Sequence, residues 1–293
     1  MSGIGPKNLV GRVAVVTGAT SGIGKEVALG LARQGATTVV VGRGADRASR
    51  VAAELAGTSG NPRVESLRVD DLAVMADTRK LASALLERYP AIHILVNNAG
   101  AYFRRREVTS DGLERTFALN VMSPYMLTTL LAPRLVSSAP ARVVNVSSAA
   151  HQGARVDFTD LQSSQRFSGL SVYGASKLEL LWLTREFARR LNGKGVTVNA
   201  VHPGFVRSGF GLNNGGGTAF GMRILERLFG RSAARGADTP IFVASAPELA
   251  TVTDGYFADR KPDPGSNDSR DPSKARQLFE KCARLSGLPP LAG

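Results

Sequence analysis

The stretch from Val13 to Gly24 reads VAVVTGATSGIG and decides the fold. It opens with a short run of Val and Ala, which is typical of a strand buried on both faces of a parallel sheet. Gly18, Gly22 and Gly24 follow, and glycine permits a sharp turn into a helix and a close approach of backbone to ligand. The helix predicted next, Gly24–Gln34, would present unpaired N–H groups to a phosphate. The stretch therefore predicts a strand–turn–helix unit that binds a nucleotide.

The spacing of these glycines is Gly-x3-Gly-x-Gly, whereas the commoner dinucleotide-binding turn is Gly-x-Gly-x2-Gly. Any tight strand–helix turn collects glycines, so the motif alone is a weak signal. Its place after the first strand and before a helix favours a nucleotide site. The residues expected to contact the nucleotide here are Gly18, Thr20, Ser21, Gly22, Ile23 and Gly24.

Outward from this unit, short apolar runs alternate with amphipathic stretches. The predicted strands are Val13–Val16, Thr37–Val41, Arg63–Val69, Ile92–Val96, Arg142–Val146 and Thr197–Val201. The predicted helices include Gly24–Gln34, Asp77–Tyr89, Leu113–Val136 and Tyr173–Leu191. This alternation predicts an α/β fold, a Rossmann-type doubly wound parallel sheet of about seven strands flanked by helices. No break in composition divides residues 1–293, so we expect a single domain.

Within that domain we expect a cofactor-binding and catalytic core over 10–205, a substrate lid over 206–230, and a C-terminal loop and helix over 259–293. Gly209–Gly221 has six glycines in thirteen residues, which predicts a mobile lid because ordering such a backbone is costly. The alternative is a packed loop whose glycines form tight turns. Met222–Phe229 is predicted to be an amphipathic helix of the lid. The apolar residues that suggest a hydrophobic substrate are Phe205, Phe210, Phe220, Leu225 and Leu228.

The C-terminal helix has clear start and stop signals. Asp271 and Pro272 supply an N-cap and a proline at the first helical position, and Gly287 ends the helix. We expect one face to dock on the domain, which makes Cys282 a core residue rather than a reactive thiol. That face comprises Ala275, Leu278, Phe279, Cys282 and Leu285.

Composition excludes several classes of protein. With 37 Lys+Arg against 24 Asp+Glu the net charge is +13, but the basic residues are dispersed apart from Arg104–Arg106 and form no nucleic-acid-binding signature. We expect no nucleic-acid partner, and a solvated surface rather than a substrate clamp at Arg104–Arg106. One cysteine and three widely spaced histidines exclude a disulfide framework and predict no metal site.

No segment approaches the ~18 consecutive apolar residues of a membrane span, so no integral membrane span is expected. The first residues lack the basic head and apolar core of a signal peptide, which favours a cytoplasmic location. The sequence leaves both a monomer and a homo-oligomer open.

The second predicted strand ends in VVVGRG, Val39–Gly44. A dinucleotide-binding fold that prefers NAD carries an acid here for the ribose 2′-hydroxyl. This chain has no acid and instead has Arg43, whose guanidinium can bind a 2′-phosphate through paired hydrogen bonds. We therefore expect NADP(H) to be preferred over NAD(H). The alternative is that Arg43 is a solvent-facing loop residue.

Tyr173 and Lys177 are four residues apart on a predicted helix, so they share a face. A free tyrosine, with a pKa near ~10, is a poor proton donor or acceptor at neutral pH. A nearby ammonium would lower that pKa and suit Tyr173 to acid–base work on an alcohol or carbonyl.

Taken together, the motifs resemble those of the short-chain dehydrogenases/reductases, over roughly residues 10–260. The chain is most similar to the retinol-dehydrogenase-like branch, in the segment Asp157–Gln162, the Ser-Lys-Leu run after Tyr173, and Gly255-Tyr256-Phe257. The motifs that carry the family resemblance, in order, are the glycine turn, Asn97-Asn98-Ala99-Gly100, Asn120, Val143–Ser148 (VVNVSS), Tyr173–Lys177 (YGASK) and Pro203-Gly204.

The resemblance implies an NADP(H)-dependent oxidoreductase that interconverts an alcohol and a ketone or aldehyde, here a small hydrophobic molecule. It implies that Tyr173 is the acid/base and that Ser148, with Ser147 as the rival, holds the substrate oxygen. Lys177 would also contact the nicotinamide ribose, and Asn120 would hold a water linking Lys177 to solvent. Asn120, Ser148, Tyr173 and Lys177 are thus the implied catalytic residues.

The same resemblance implies further cofactor contacts. Asp71, with Asp70 as an adjacent competitor, and Leu72 would bind the adenine. Asn98, Ala99 and Gly100 would line the cofactor, although they could equally brace the central sheet. The full set of implied cofactor residues beyond the glycine turn is Arg43, Asp71, Leu72, Asn98, Ala99, Gly100, Tyr173, Lys177, Pro203 and Gly204.

Two departures from the family pattern stand out. Ser148 lies 25 residues before Tyr173, a longer spacing than most of the family has, so the extra segment must loop out beside the site. Ser21 stands where many NADP-preferring members carry a base. Two rival functions remain: a non-catalytic NADP-binding sensor on the same fold, and an epimerase or dehydratase. The Tyr173–Lys177 pair argues against the sensor.

Overall fold

The computed structural model describes residues 8–204, 232–289 and 291. Its strands are β1 (Val13–Thr17), β2 (Thr37–Gly42), β3 (Val64–Arg68), β4 (Ile94–Asn97), β5 (Ala141–Val146), β6 (Val196–His202), β7 (Tyr256–Ala258) and β8 (Lys261–Pro262). The helices in the described part are α1 (Gly22–Arg33), α2 (Ala45–Ser59), α3 (Met75–Arg88), α4 (Arg115–Phe117), α5 (Ser123–Ser137), α6 (Gly169–Arg190), α7 (Ala233–Ser245) and α8 (Pro272–Ser286).

The strands form one sheet in the order β3-β2-β1-β4-β5-β6-β7-β8. Successive side chains of a strand point to opposite faces, and both faces of this sheet are covered. Val15 packs in one core with Leu81 of α3 and Trp182 of α6, while Val16 packs in a second core with Val27 of α1. This two-sided burial explains the unbroken Val-rich runs in the sequence and confirms the doubly wound α/β fold.

The six predicted strands are all present, and β7 adds a seventh parallel one. The sheet has an eighth strand that the expected count of about seven missed. This strand, Lys261–Pro262, is two residues long and pairs antiparallel with β7 at the edge of the sheet. A lysine and a proline carry no apolar signal, and proline is tolerated at an edge because it need not donate a ladder hydrogen bond.

The order of strands reverses direction between β1 and β4. The chain runs outward from β1 to β2 and β3, then crosses back to β4 on the other side of β1. The connections after β1 and β4 therefore part, and a crevice opens between them at the carboxyl ends of the strands. The glycine turn, the Asn97–Gly100 motif, Ser148 and Pro203-Gly204 each follow a strand at this edge.

The predicted helix Leu113–Val136 is interrupted. α4 leads into a π-helical turn, Ala118–Met122, and α5 continues to Ser137. A π turn inserts an extra residue into a helix and is frequently found at functional sites. Here it carries Asn120, which is fully buried.

The C-terminal helix α8 begins and ends as predicted. Asp271 accepts hydrogen bonds from the N–H groups of Ser273 (2.9 Å) and Lys274 (3.2 Å), and Gly287 adopts a positive φ of 64°. Cys282 is fully buried, as predicted. The prediction that Leu285 docks was wrong, because its side chain is 41% exposed.

The error at Leu285 has a geometric reason. At 3.6 residues per turn, Leu285 lies off the centre of the face that Ala275, Phe279 and Cys282 define. Ser286, one residue further, lies nearer that centre and is buried in its place, with 4% of its surface exposed. The last turn of α8 therefore docks through a small polar residue.

The predicted lid, 206–230, lies outside the described residues, together with the glycine-rich segment Gly209–Gly221 and the predicted helix Met222–Phe229.

α6 buries a carboxyl group in the core beneath α8. Glu179 is 3% exposed, and burial, with a further contribution from the nearby carboxylate of Glu114, raises its pKa well above the usual value. A group whose pKa is raised on folding contributes stability that is complete below its unfolded pKa and is lost as the pH rises through the folded pKa. The protein should therefore lose stability from this site as the pH rises above about 4.5.

We expect Glu179→Gln to remove this loss, because the amide carries no charge to desolvate. Urea denaturation at pH 5 and pH 8 measures the free energy of unfolding of both proteins. The variant should exceed the wild type by more at pH 8 than at pH 5. Glu186→Gln on the same helix is the control. Burial alone would raise the pKa of Glu186, but hydrogen bonds from Arg189 and Arg190 outweigh it and lower the pKa, so this variant should lose stability at pH 8. Parallel pH profiles for wild type and Glu179→Gln would refute the assignment.

Candidate active site

A cleft of about 940 Å³ opens at the carboxyl edge of the sheet, between the connections that follow β1 and β4. All of the sequence-predicted cofactor residues line it, and so do Ser148, Tyr173 and Lys177. Asn120 lies directly behind the lining. The lining residues predicted from the sequence are Gly18, Thr20, Ser21, Gly22, Ile23, Gly24, Arg43, Asp71, Leu72, Asn98, Ala99, Gly100, Ser148, Tyr173, Lys177, Pro203 and Gly204.

The glycine turn after β1 is built so that only glycine fits. Gly18 and Gly22 have positive φ angles of 65° and 56°. A Cβ atom on Gly24 would lie 2.3 Å from Nδ2 of Asn98, closer than atoms can approach. α1 begins at Gly22, and its N-cap residue, Ser21, makes no side-chain capping bond. The first N–H groups of α1 and the Ser21 hydroxyl are thus placed to meet a phosphate.

Asn98 joins this turn to the end of β4. Its Nδ2 donates to the carbonyl of Thr17 at 2.9 Å. Its backbone N–H, and that of Ala99, each donate to Oγ1 of Thr17 at 3.0 Å. Asn98 and Ala99 therefore brace the central strands, and they also line the cleft.

At the end of β2, Gly42 lies against Thr20 of the glycine turn. A Cβ atom on Gly42 would be 2.2 Å from Cγ2 of Thr20, so the strand end and the turn are in direct contact. Arg43 follows, exposed and lining the cleft. No hydrogen bond or ion pair ties its guanidinium to another of the described residues. Arg43 thus directly follows the end of β2, the strand end that carries the ribose-binding acid in NAD-binding folds.

The two aspartates after β3 take different directions. Asp71 and Leu72 line the cleft, whereas Asp70 forms an ion pair with Arg68 away from it. The carboxylate of Asp71 accepts from the N–H of Ala73 at 2.9 Å and pairs with Arg115 at 2.7 Å. Asp71 rather than Asp70 is therefore available at the cleft.

Tyr173 and Ser148 meet on the opposite wall of the cleft. The Tyr173 side chain is hydrogen-bonded to Ser148, although 25 residues separate them in the sequence. The hydroxyl of Ser147, in contrast, is buried and donates to the backbone carbonyl of Lys177 at 2.9 Å. The segment between Ser148 and α6 loops out over the surface, which leaves the serine opposite the tyrosine.

Lys177 lies one turn beyond Tyr173 on α6, 4% exposed. Its ammonium donates to the carbonyl of Val146 at 2.9 Å and lies 5.6 Å from the centre of the Tyr173 ring. Asn120 faces it across Gly100, where a Cβ atom would be 3.2 Å from both Lys177 Nζ and Asn120 Oδ1. The amide of Asn120 accepts from the N–H of Ala101 at 2.9 Å and donates to its carbonyl at 3.0 Å.

The pKa of Tyr173 differs from the value expected beside Lys177. Burial raises the pKa of Tyr173 to about 12, and the hydrogen bond with Ser148 only partly opposes it. Burial also lowers the pKa of Lys177 to about 8. The lowering of the Tyr173 pKa that the sequence predicts from Lys177 is thus absent here, because the same dry surroundings penalise the charged form of both groups.

The cleft also has lining residues that the sequence analysis missed. Tyr102 lies edge-on to Tyr173, with ring centres 6.5 Å apart, and Phe103 lies 5.3 Å beneath the guanidinium of Arg115. Leu170 is 65% exposed at the mouth. Tyr102 and Phe103 have only a positional signal in the sequence, since Ala101 alone separates them from the Asn97–Gly100 motif. Arg104–Arg106, beyond them, are exposed, as expected.

Within the described ranges, no three His, Cys, Asp or Glu side chains are grouped to hold a metal ion. Among the helices of those same ranges, none has the length and apolar character to cross a membrane.

Comparison with known proteins agrees with this geometry. A family model for the short chain dehydrogenase matches residues 12–214. The chain is 36% identical to human retinol dehydrogenase 13, over 95% of this chain and 85% of that protein. It is 39% identical to DnrU of Streptomyces sp. (strain C5), a protein named as a candidate daunorubicin C-13 ketoreductase, over 95% and 94% of the two chains.

Among solved structures, the chain resembles the active-site complex of Pseudomonas aeruginosa RhlG with NADP. The TM-score is 0.67 at 30% identity, covering 86% of this chain and 95% of that one. The match of the family model over most of the chain, and the identity to full-length relatives, go beyond a shared fold. This protein belongs to the short chain dehydrogenase family and is an oxidoreductase.

Proposed function

We propose that the protein interconverts an alcohol and a ketone or aldehyde with NADP(H), on a hydrophobic substrate. The observation that carries the proposal is the hydrogen bond between Tyr173 and Ser148, with Lys177 one helical turn away, in a cleft that also contains the glycine turn. A non-catalytic sensor would not need a tyrosine hydroxyl, a serine hydroxyl and an ammonium grouped in the same cleft.

The residues present fit a nicotinamide dinucleotide. Gly18 and Gly22 have positive φ angles and, with Gly24, line the cleft, so backbone rather than side chains borders it there, and the start of α1 offers N–H groups for the diphosphate. Asp71 and Leu72 would hold the adenine, and Pro203-Gly204 would border the nicotinamide. When bound, the nicotinamide supplies or accepts the hydride.

The protein's own part is the movement of a proton at the substrate oxygen. With a pKa of about 12, Tyr173 is protonated at neutral pH and can donate to a carbonyl oxygen as it becomes an alcohol. Ser148 would hold that oxygen by a second hydrogen bond. As negative charge develops on the Tyr173 oxygen, the ammonium of Lys177 would stabilise it, and this gain is large because the site is buried.

Asn120 would position the backbone that lies next to Lys177. Its hydrogen bonds to both polar atoms of the Ala101 peptide and to Oγ of Ser176 at 3.0 Å hold the π turn against α6. This contact sets the position of the Gly100 backbone between Asn120 and Lys177. A water relay from Lys177 to solvent at this point is part of the proposal.

The preference for NADP(H) rests on Arg43 and on the absence of an acid at the end of β2. The complex of RhlG with NADP shows that a structurally similar protein binds this cofactor, as does a similar Burkholderia cenocepacia enzyme. A guanidinium with no tie to another described residue can turn to a 2′-phosphate without breaking an existing contact.

We expect Arg43→Ala to weaken NADPH binding at least tenfold and to leave NADH binding nearly unchanged. One charge-assisted hydrogen bond is worth about 1.5–3 kcal/mol, and NADH has no 2′-phosphate to lose. Titration of protein fluorescence with each cofactor measures both constants. Arg33→Ala, which removes the same charge from the far end of α1, is the control. If NADH binds to the wild type as tightly as NADPH, the interpretation of Arg43 is wrong.

The hydrophobic substrate is suggested by the mouth of the cleft, where Tyr102, Phe103 and Leu170 present apolar surface. The names of two relatives refer to retinol, which carries an apolar polyene, and to the C-13 ketone of daunorubicin, which carries a polycyclic ring system. A cytoplasmic location and the core, lid and C-terminal boundaries within the domain stay predictions.

NADPH oxidation measured across a panel of aldehydes and ketones tests the reaction. Each apolar compound, such as a polyene aldehyde or a polycyclic ketone, is paired with a small polar one that has the same carbonyl type. We expect turnover that favours the apolar member of each pair. Tight NADPH binding with no turnover of any compound would favour the sensor, and turnover of a nucleotide sugar without net NADPH oxidation would favour the epimerase or dehydratase.

A further inference from the structure

We infer that His151 is a positioning residue that holds the backbone of Ser148, and that a C-terminal loop selects the imidazole tautomer that does so. The inference rests on the role proposed for Ser148. His151 is fully buried and ends the 3₁₀ turn Ala149–His151 that directly follows this serine.

Both ring nitrogens of His151 contact backbone atoms. Nδ1 lies 2.7 Å from the carbonyl oxygen of Ser148, and the backbone N–H of Ser266 donates to Nε2 at 3.2 Å. Because an N–H group can only donate, Nε2 must be the unprotonated nitrogen. Nδ1 therefore carries the hydrogen and donates it to Ser148.

Ser148 stands at a junction where its orientation needs such a restraint. Its backbone is extended, with φ −159° and ψ 154°, at the point where the chain leaves β5 for the turn. Its carbonyl also accepts the backbone N–H of His151 at 3.2 Å, and the N–H of Ala149 donates to Nδ1 of His202 at 3.3 Å. The peptide that follows Ser148 is thus held on both sides, which leaves its hydroxyl facing Tyr173.

The restraint on Ser148 also involves a distant part of the chain. His151 lies at the start of the long segment between Ser148 and Tyr173, whose remaining residues, 152–168, include none that is fully buried. The loop of Ser266 is anchored on α6, which carries Tyr173: Trp182 donates to the carbonyl of Asp268, and Arg185 to that of Ser269, both at 2.7 Å. His151 lies between this loop and Ser148, with its ring edge-on to Tyr256 at 5.2 Å.

Two amide substitutions separate this role from a structural one. The amide of an asparagine at this position occupies roughly the place of Nδ1, and that of a glutamine the place of Nε2. His151→Asn can still donate to Ser148 but loses Ser266, whereas His151→Gln can still accept from Ser266 but loses Ser148. Each variant loses one hydrogen bond, so both should lower the melting temperature by similar amounts.

We expect His151→Gln to lower kcat at least about tenfold, since a small misplacement of a reacting group can cost up to ~10²-fold. His151→Asn should stay within about threefold of wild type, and the Kd for NADPH should be unchanged in both. Equal losses of kcat in the two variants would show a structural role only and would overturn the inference.

Combination with Ser148→Ala distinguishes this inference from the proposed function. If His151 acts through Ser148, then His151→Gln added to Ser148→Ala should lower kcat by less than about twofold more. Independent, multiplicative losses would overturn the inference while leaving the role of Ser148 intact. Wild-type kcat in Ser148→Ala would instead refute the proposed function at Ser148.

A second route avoids any change at the buried ring, in case His151→Gln does not fold. Ser266→Pro removes the N–H that selects the tautomer and should lower kcat severalfold, although Ser266 lies 115 residues from His151 in the sequence. Ser266→Ala keeps that N–H and is the matched control, with unchanged kcat. Wild-type kcat in Ser266→Pro would overturn the part assigned to the C-terminal loop.

Discussion

Replacing Tyr173 with phenylalanine should lower kcat by about 10²–10⁴-fold, the range typical of acid–base catalysis. The substitution removes the hydroxyl that is hydrogen-bonded to Ser148 and retains the ring against Tyr102. The walls of the cleft should therefore keep their shape, and the Kd for NADPH should change by less than about threefold. Steady-state kinetics with the best carbonyl of the panel, and a separate cofactor titration, measure the two quantities.

Tyr89→Phe is the matched control for this variant. It also removes one tyrosine hydroxyl, which donates to Glu65 at 2.7 Å, but Tyr89 follows α3 and does not line the cleft. Its kcat should equal that of the wild type. A Tyr173→Phe enzyme that keeps more than about a tenth of wild-type kcat would rule out Tyr173 as the acid/base, because acid–base catalysis contributes at least ~10²-fold.

Lys177→Met should affect activity and stability in opposite directions. Loss of the ammonium removes the charge that would stabilise the developing Tyr173 oxyanion and contact the ribose, so kcat should fall and the Kd for NADPH should rise. Each effect should be about tenfold or more, the equivalent of one charge-assisted hydrogen bond. The buried ammonium is itself unfavourable for folding, since burial lowers its pKa from 10.5 to about 8. Removing it should raise the free energy of unfolding at pH 7, by on the order of 3 kcal/mol.

The destabilising effect of the buried Lys177 ammonium should also appear in the pH dependence of wild-type stability. Between about pH 8 and 10.5 the unfolded lysine keeps its proton while the folded one releases it, so the unfolded state binds more protons and stability rises with pH. Lys177→Met should lack this rise. Lys80→Met, at an exposed position of α3, should match the wild type in activity and in pH dependence. If Lys177→Met is less stable than wild type at pH 7, the hydrogen bond from Lys177 to Val146 stabilises the fold by more than burial of the ammonium destabilises it.

Most of the fold could be predicted from the sequence, because the signals for it are local. A strand buried on both faces needs a run of apolar residues, and a sharp turn against another backbone needs glycine, so Val13–Gly24 determines the first unit without reference to the rest of the chain. The caps of α8 are local in the same sense. Signals weaken where residues are exposed, as at Lys261–Pro262 and Leu285, and there the predictions failed.

Which motifs line the cleft could also be predicted, because most of them follow a strand and the carboxyl ends of parallel strands meet at one edge of the sheet. The sequence left open which of two neighbouring residues faces the cleft. Asp71 lines it while Asp70 pairs with Arg68, and Ser148 meets Tyr173 while Ser147 bonds to backbone. Adjacent residues of the same type give the same signal, and only the path of the backbone tells them apart.

What the sequence by itself determined, then, is the order of elements, the glycine turn and the residue types that reach the cleft. Only the tertiary structure decided the pairing of Asp71 with Arg115, the contact of His151 with Ser266, and the protonation of Tyr173 and Lys177. Pairs of that kind lie 44 and 115 residues apart in the chain and are brought together only by packing. The pKa of a side chain depends on how much water and charge surround it, and those surroundings exist only once the whole domain has folded.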